Sequence, residues 1–304
     1  MHILITGGTG LIGRQLCKAL LAEGHELTVL SRNPASVPLK CGADVKAIAS
    51  LSEWQPSQTF DAVINLVGEP IVDARWTAQR KQLLWDSRVT LTGELVRHIA
   101  AASHKPSVLL SGSAVGYYGD RGDSMLDESE PAGKGFAADL CKAWEDAARV
   151  AESSGVRVCL LRTSPVLSND GGMLARMLPP FRLGLGARLG NGRQWMGWVH
   201  IEDYVAMMLR LLHDGQMRGP YNMAAPQPVT NAEFTASLAA VLHRPALFIA
   251  PAILLKLAMG ESASLLLEGQ RVVPKKMESA GYRFAFPALN DALNNLLSPP
   301  PNRR

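Results

Sequence analysis

Residues 2–13 read His-Ile-Leu-Ile-Thr-Gly-Gly-Thr-Gly-Leu-Ile-Gly, a β-branched run that passes into a glycine-spaced turn and then into a helical pattern. A strand, a tight turn and a helix in immediate succession make the first half of a βαβ crossover shaped to hold a dinucleotide. Gly7 permits the turn, and Gly10 lets the backbone approach a phosphate with no Cβ between them. Gly13 lets the helix pack close to the strand. The first N–H groups of the helix have no intrahelical acceptor and face negative charge. Thr6, Gly7, Gly10, Leu11, Ile12 and Gly13 are therefore the expected seat of a pyrophosphate.

The chain beyond this turn repeats the alternation of strand and helix. Leu11, Ile12, Leu16, Leu20 and Leu21 form a helical stripe ending at Gly24. Strands are predicted over 26–30, 44–48, 61–67, 107–110 and 156–161, with helices over about 77–102 and 137–152. This predicts an α/β fold, a Rossmann-type doubly wound parallel sheet. After residue 167, glycine and proline crowd 171–197 around a short helix. Helices are expected near 202–212 and 231–242, a strand near 221–223, and a mostly helical tail over 251–297. The expected division is a dinucleotide-binding domain over 1–167, with sheet elements returning near 199–224. Residues 168–304 would form a smaller, mainly helical C-terminal cap on the substrate side, with a cleft between the two.

Composition narrows the classes. With 47% hydrophobic and 19% charged residues, the 304-residue chain is a globular type. A net charge of +4 without any block of like charge argues against nucleic acid as a partner. The four cysteines show no CxxC spacing and read as buried residues of a reducing compartment. The first strand starts at residue 2, before any leader could fit, so a cytoplasmic location is expected. The apolar stretch 246–259 is broken by Pro251 and Lys256 and is too short to span a bilayer, so no membrane partner is expected. The seven histidines are scattered, and no metal site is expected. The oligomeric state stays open, a homodimer included.

The tip of the second strand selects the dinucleotide. An NAD-binding fold usually carries an acid there, about 20 residues past the glycines. Here the position holds Ser31 and Arg32, with no carboxylate beside them. A guanidinium with a hydroxyl neighbour suits a 2′-phosphate, so NADP is expected over NAD. The alternative is an Arg32 that is simply solvated.

Four motifs carry a resemblance: Thr-Gly-Gly-Thr-Gly-Leu-Ile-Gly (6–13), Asn-Leu-Val-Gly-Glu-Pro-Ile (65–71), Ser-Gly-Ser-Ala-Val-Gly-Tyr-Tyr-Gly (111–119) and Trp-Val-His-Ile-Glu-Asp (198–203). In that order they resemble the extended short-chain dehydrogenase/reductase superfamily. Asp-Ser-Arg (86–88), Met-Leu-Pro-Pro-Phe-Arg-Leu-Gly-Leu-Gly (177–186) and Glu-Gly-Gln-Arg-Val-Val-Pro (268–274) narrow the resemblance to the atypical YfcH-type epimerase-family proteins. The last lies in a segment, about 248–297, characteristic of that branch. The resemblance implies further cofactor contacts at Leu66, Val67 and Gly68, at Arg88, and at Pro165 and Val166 beside the nicotinamide. Leu66 and Val67 read equally well as plain core strand, and Arg88 as a surface helix charge.

The superfamily's Tyr-x-x-x-Lys pair is missing. None of the five tyrosines has a lysine four residues on. Aligned on the relatives' helix, Ala137 and Cys141 occupy the two positions, and Lys142 lies about 100° round. The tyrosine of such a pair is the general acid/base, and the lysine lowers its pKa. Ser113, where relatives keep a catalytic hydroxyl, and Tyr117 are the candidate substitutes, each with a structural alternative. Glu69 as a desolvated base, His200 beside Glu202 and Asp203, and the Trp195/Trp198 pair are weaker candidates. Two functions stay in play. One is an NADP-dependent oxidoreductase or epimerase acting on a small polar, sugar-nucleotide-like substrate. The other is a non-catalytic NADPH-binding sensor or regulatory module.

Overall fold

The computed structural model describes residues 1–297. Seven strands, β1 (His2–Thr6), β2 (Glu26–Leu30), β3 (Lys46–Ile48), β4 (Ala62–Asn65), β5 (Val108–Ala114), β6 (Arg157–Thr163) and β7 (Gly219–Met223), make one sheet. Every pairing in it is parallel, and the order is β3-β2-β1-β4-β5-β6-β7. The winding reverses between β1 and β4, and in such sheets ligands bind beyond the carboxyl ends of the strands at that point.

Side-chain alternation along the strands builds two cores. Ile3, Ile5, Val29, Ile64 and Leu110 face one side, packed on Leu16 and Leu20 of α1 (Leu11–Ala22). Leu4, Val63, Leu109 and Val158 face the other. There they meet residues of two more helices. The region expected as one helix over 77–102 is α2 (Ala78–Trp85), a π-helical turn at Asp86–Thr90, and α3 (Leu91–Ala101). The Thr77 hydroxyl caps its start by accepting from the Arg80 N–H at 3.1 Å. Leu95 and Ile99 of α3 and Ala148 of α4 (Phe136–Arg149) complete the second core.

Two sequence expectations need correction. The strand expected over 61–67 ends at Asn65, so Leu66, Val67 and Gly68 form the loop beyond it and are not core strand. The strand expected over 107–110 runs on to Ala114, because pairing with β6 continues through Ser113↔Arg162 and Ala114↔Thr163.

Beyond β6 lie α5 (Gly172–Arg182), α6 (Ile201–His213), α7 (Asn231–Val241), α8 (Ala252–Met259) and α9 (Leu289–Leu297). Four two-stranded ladders, not foreseen in the sequence, tie this region together. One of them pairs Arg271–Val272 with Met125–Leu126. The buried Asp203 carboxylate of α6 accepts from the Ala285 and Phe286 N–H groups, each at 2.9 Å, and from Tyr282 Oη at 3.0 Å, lashing down the C-terminal segment.

Candidate functional site

The glycine turn sits at the switch point. Gly7 has a φ of +73°, and a Cβ there would stand 2.6 Å from the Leu66 carbonyl oxygen and 2.9 Å from the Val67 nitrogen. The β1 turn and the loop after β4 are thus in backbone contact. A Cβ on Gly13 would collide with the Gly7 and Gly8 carbonyl oxygens. Gly10, the N-cap of α1, is extended and would meet only the Gly7 oxygen, at 3.2 Å. No side chain caps α1, and its first turn holds no acid. The N–H groups of Leu11, Ile12 and Gly13 precede the first helical bond, from Arg14 N to Gly10 O. Thr6 is buried, its hydroxyl donating to Asn65 Oδ1 at 2.6 Å, which pins the ends of β1 and β4 together.

Two guanidinium groups flank this turn. The Arg32 side chain is 92% exposed, and its Nη1 lies 2.8 Å from Glu69 Oε1. Ser31 closes its own turn by donating to the Asn33 carbonyl. Arg88 belongs to the π-helical turn and folds under the loop, where Nη2 donates to the Glu69 carbonyl oxygen at 2.8 Å. Its guanidinium would touch a Cβ on Gly68, and it lies 5.4 Å from the Trp144 ring. Burial lowers its pKa. Its acceptors are carbonyls and a hydroxyl, which leaves the charge available to an anion.

Farther along the carboxyl ends of the strands, Ser113 and the tyrosines of the 111–119 motif join two residues that no motif announced, Glu145 and Arg162. Ser113 is buried and donates to Glu145 Oε1 at 2.7 Å, so its proton does not face the crevice as a free donor. Glu145 is also buried and grips Arg162, Nε to Oε1 at 2.8 Å and Nη2 to Oε2 at 3.0 Å. Arg162 Nη1 donates to Tyr118 Oη at 3.0 Å, and Tyr118 donates to Asn222 Oδ1 at 2.6 Å. The Tyr118 phenol is pushed up to about 12, chiefly by burial. Tyr117 is half-buried, with the Arg162 guanidinium 3.6 Å from the centre of its ring.

The sequence signal for Glu145 was its spacing. It stands one helical turn past Cys141, on the face of α4 where the proton-transfer pair was sought. Gly116 packs on this face, its Cβ direction 3.5 Å from Ala137 Cβ and 3.9 Å from Cys141 Sγ. Burial pushes the Cys141 thiol up to about 12, so it offers no thiolate. Lys142 points to solvent and pairs with Asp146 at 2.6 Å.

The remaining candidates separate. Val166 is buried and pairs with Val199 in a short ladder, its side chain in the core. Trp198 is core, its Nε1 donating to the Gln227 carbonyl, while Trp195 donates to Asp123 and stacks under Arg271. His200 is fully buried at the start of α6. Its Nδ1 accepts from the Glu202 N–H, which leaves Nε2 to donate to Asn295. This is a helix cap. On the opposite edge of the sheet, Glu23 bridges His25 and His213, a grouping their spacing concealed.

His200 yields a pH prediction. Burial holds its folded pKa below the ordinary 6.5. Below that value the unfolded chain takes up the proton first, so stability falls as pH drops from 6.5 toward the folded pKa. Melting curves between neutral and mildly acid pH are expected to show this decline, and His200→Asn is expected to flatten it. An unchanged slope in the variant would contradict the assignment.

Known proteins resemble this chain in sequence and architecture. The profile of the NAD dependent epimerase/dehydratase family matches residues 3–224, and that of a domain of unknown function, DUF1731, matches 250–296. An epimerase family protein of Mycobacterium bovis is 42% identical over 295 residues, 96% of each chain. The crystal structure of human epimerase family protein SDR39U1 with NADPH superposes with a TM-score of 0.89 at 34% identity, over 97% of this chain and 99% of that one. A nucleoside-diphosphate sugar epimerase from Corynebacterium glutamicum gives 0.74 at 30% identity, over 98% of this chain but 58% of its own. Among the described residues, no helix is long and apolar enough to cross a membrane.

Proposed function

The chain belongs to the NAD dependent epimerase/dehydratase family, and from that premise we propose that it is an NADP(H)-dependent oxidoreductase or epimerase acting on a small polar substrate. The observation that carries this reading is the uncapped, acid-free start of α1, packed through Gly7 and Gly13 against β1 and the loop after β4. A pyrophosphate fits there, accepting from the N–H groups of Leu11, Ile12 and Gly13. The human relative was solved with NADPH, which supports the same coenzyme here.

Ser31 and Arg32 would hold the 2′-phosphate, which would compete with Glu69 for the guanidinium. Leu66, Val67 and Gly68 would line the adenosine side, and Arg88 would offer its charge from beneath the loop. Val166, with Pro165, would flank the nicotinamide through backbone, since the Val166 side chain is in the core.

When bound, the coenzyme would supply or accept hydride. Tyr117 would hold the accompanying proton, and Arg162, stacked on its ring, would take the part of the absent lysine. Ser113 would act through its oxygen lone pairs, its proton being held by Glu145. That arrangement also favours a second reading, a non-catalytic NADPH-binding sensor.

A panel of carbonyl, alcohol and nucleotide-sugar compounds, followed at the nicotinamide absorbance, separates the two. Turnover that Tyr117→Phe abolishes supports the enzyme, and none across the panel with NADPH binding intact supports the sensor. For the coenzyme itself, Arg32→Glu is expected to shrink the preference for NADPH over NADH by about 2 kcal/mol, roughly 30-fold. Calorimetry with both coenzymes checks this, and equal affinities in the unaltered protein would refute the role of Arg32.

A further inference from the structure

The apolar stretch 246–259, too short to span a bilayer, lies on the surface. Of the fourteen exposed large hydrophobic residues among the described ones, eight fall within 183–185 and 247–257. The two segments run side by side. Phe248 and Ile249 pair with Ala187 and Arg188, and Arg244 Nε donates to the Arg182 carbonyl at 3.1 Å. Leu183 and Leu247, 76% and 84% exposed, stand on this ridge. Helix α8 comes directly after it, with no buried residue and with Ile253 and Leu257 68% and 66% exposed.

The two segments that make this face carry charge of one sign, and the acids beside them are Glu261, paired with Lys81, and Glu268, near Lys256. Residues 171–201 and 234–260 contain no Asp or Glu. The exposed cations of the ridge and helix are Arg182, Arg244 and Lys256, none in a salt bridge among the described residues, while Arg188 is half-buried against Gly192. Apolar side chains fringed by unpaired cations suit a surface that is apolar below and anionic above. A second copy of the chain would set these cations against one another.

We propose that this face docks on an anionic lipid bilayer, with α8 lying in the headgroup–acyl boundary. A helix can lie on a membrane that it is too short to span. Arg75 joins the face to the coenzyme crevice. Its Nε donates to the Ala258 carbonyl at 2.7 Å and its Nη2 to that of Leu257, so the C-terminal end of α8 is held to the loop after Gly68. Docking would bring that wall of the crevice to the lipid surface.

Co-sedimentation of the full chain with vesicles tests this. Binding is expected to vesicles of phosphatidylcholine mixed with phosphatidylglycerol, to weaken as salt is raised, and to be slight with phosphatidylcholine alone. The double variant Ile253→Glu/Leu257→Glu is expected to bind about tenfold less, with melting and NADPH affinity unchanged because both side chains are exposed. Failure to sediment with either vesicle would overturn the proposal. So would a concentration-dependent dimer, seen by light scattering, that the same variant dissociates, since a second copy would then cover the face.

Discussion

Gly10→Ala is expected to weaken NADPH binding by at least 100-fold, about 2.7 kcal/mol, while leaving the protein folded. The backbone at Gly10 is extended, at φ −74° and ψ 178°, a conformation alanine adopts freely. The added methyl would meet only the Gly7 carbonyl oxygen, at 3.2 Å, so the turn gives slightly and the fold persists. On the outer side the methyl occupies the space a pyrophosphate needs to reach the N–H groups of α1. Gly13→Ala behaves differently. Its methyl would strike two backbone oxygens that cannot move without displacing α1 from β1, so melting temperature and binding are expected to fall together. Calorimetric titration and thermal melting of both variants check the contrast. Full NADPH affinity in Gly10→Ala would mean that the phosphates lie elsewhere.

The second large effect concerns stability. Glu145→Ala is expected to destabilise the protein by about 3–5 kcal/mol, because it leaves the Arg162 guanidinium buried without its carboxylate. Arg162 is fixed in that position by its strand. It stands between Ser113 of β5 and Asn222 of β7 in the cross-strand register, so it cannot swing out to water. The charge keeps Tyr118 Oη and the Glu128 carbonyl as partners, which do not neutralise it. Replacing both ends, Glu145→Leu with Arg162→Met, is expected to recover most of the loss, since the buried charge is then gone. Urea unfolding of the single and double variants measures this. A single variant as stable as the parent would show that water reaches Arg162.

Much of the sheet was legible because buried parallel strands announce themselves as short β-branched runs between turn signals. Ile3-Leu4-Ile5 and Val63-Ile64 are of that kind. The end of β5 was not, since Ser111-Gly112-Ser113 has little intrinsic strand character and is held by its neighbours β4 and β6. Residues 62–68 are apolar apart from Asn65, and nothing local marks where the ladder stops and the loop begins. The glycine turn could be assigned residue by residue because each glycine has a separate steric reason. The Ser113–Glu145–Arg162 cluster could not, because it joins three elements distant in sequence. A glutamate in an amphipathic helix and an arginine ending an apolar strand each read as solvated until tertiary contact brings them together. Nor does the apolar sequence of 246–259 say where it packs, and no residue of α8 is buried.

A crystal structure of the chain grown with NADPH tests the central claim most directly. The expected result is the pyrophosphate against the N–H groups of Leu11, Ile12 and Gly13, with the 2′-phosphate within hydrogen-bond reach of Arg32 and Ser31. Coenzyme bound away from the start of α1, or no coenzyme in crystals grown at saturating NADPH, would contradict it.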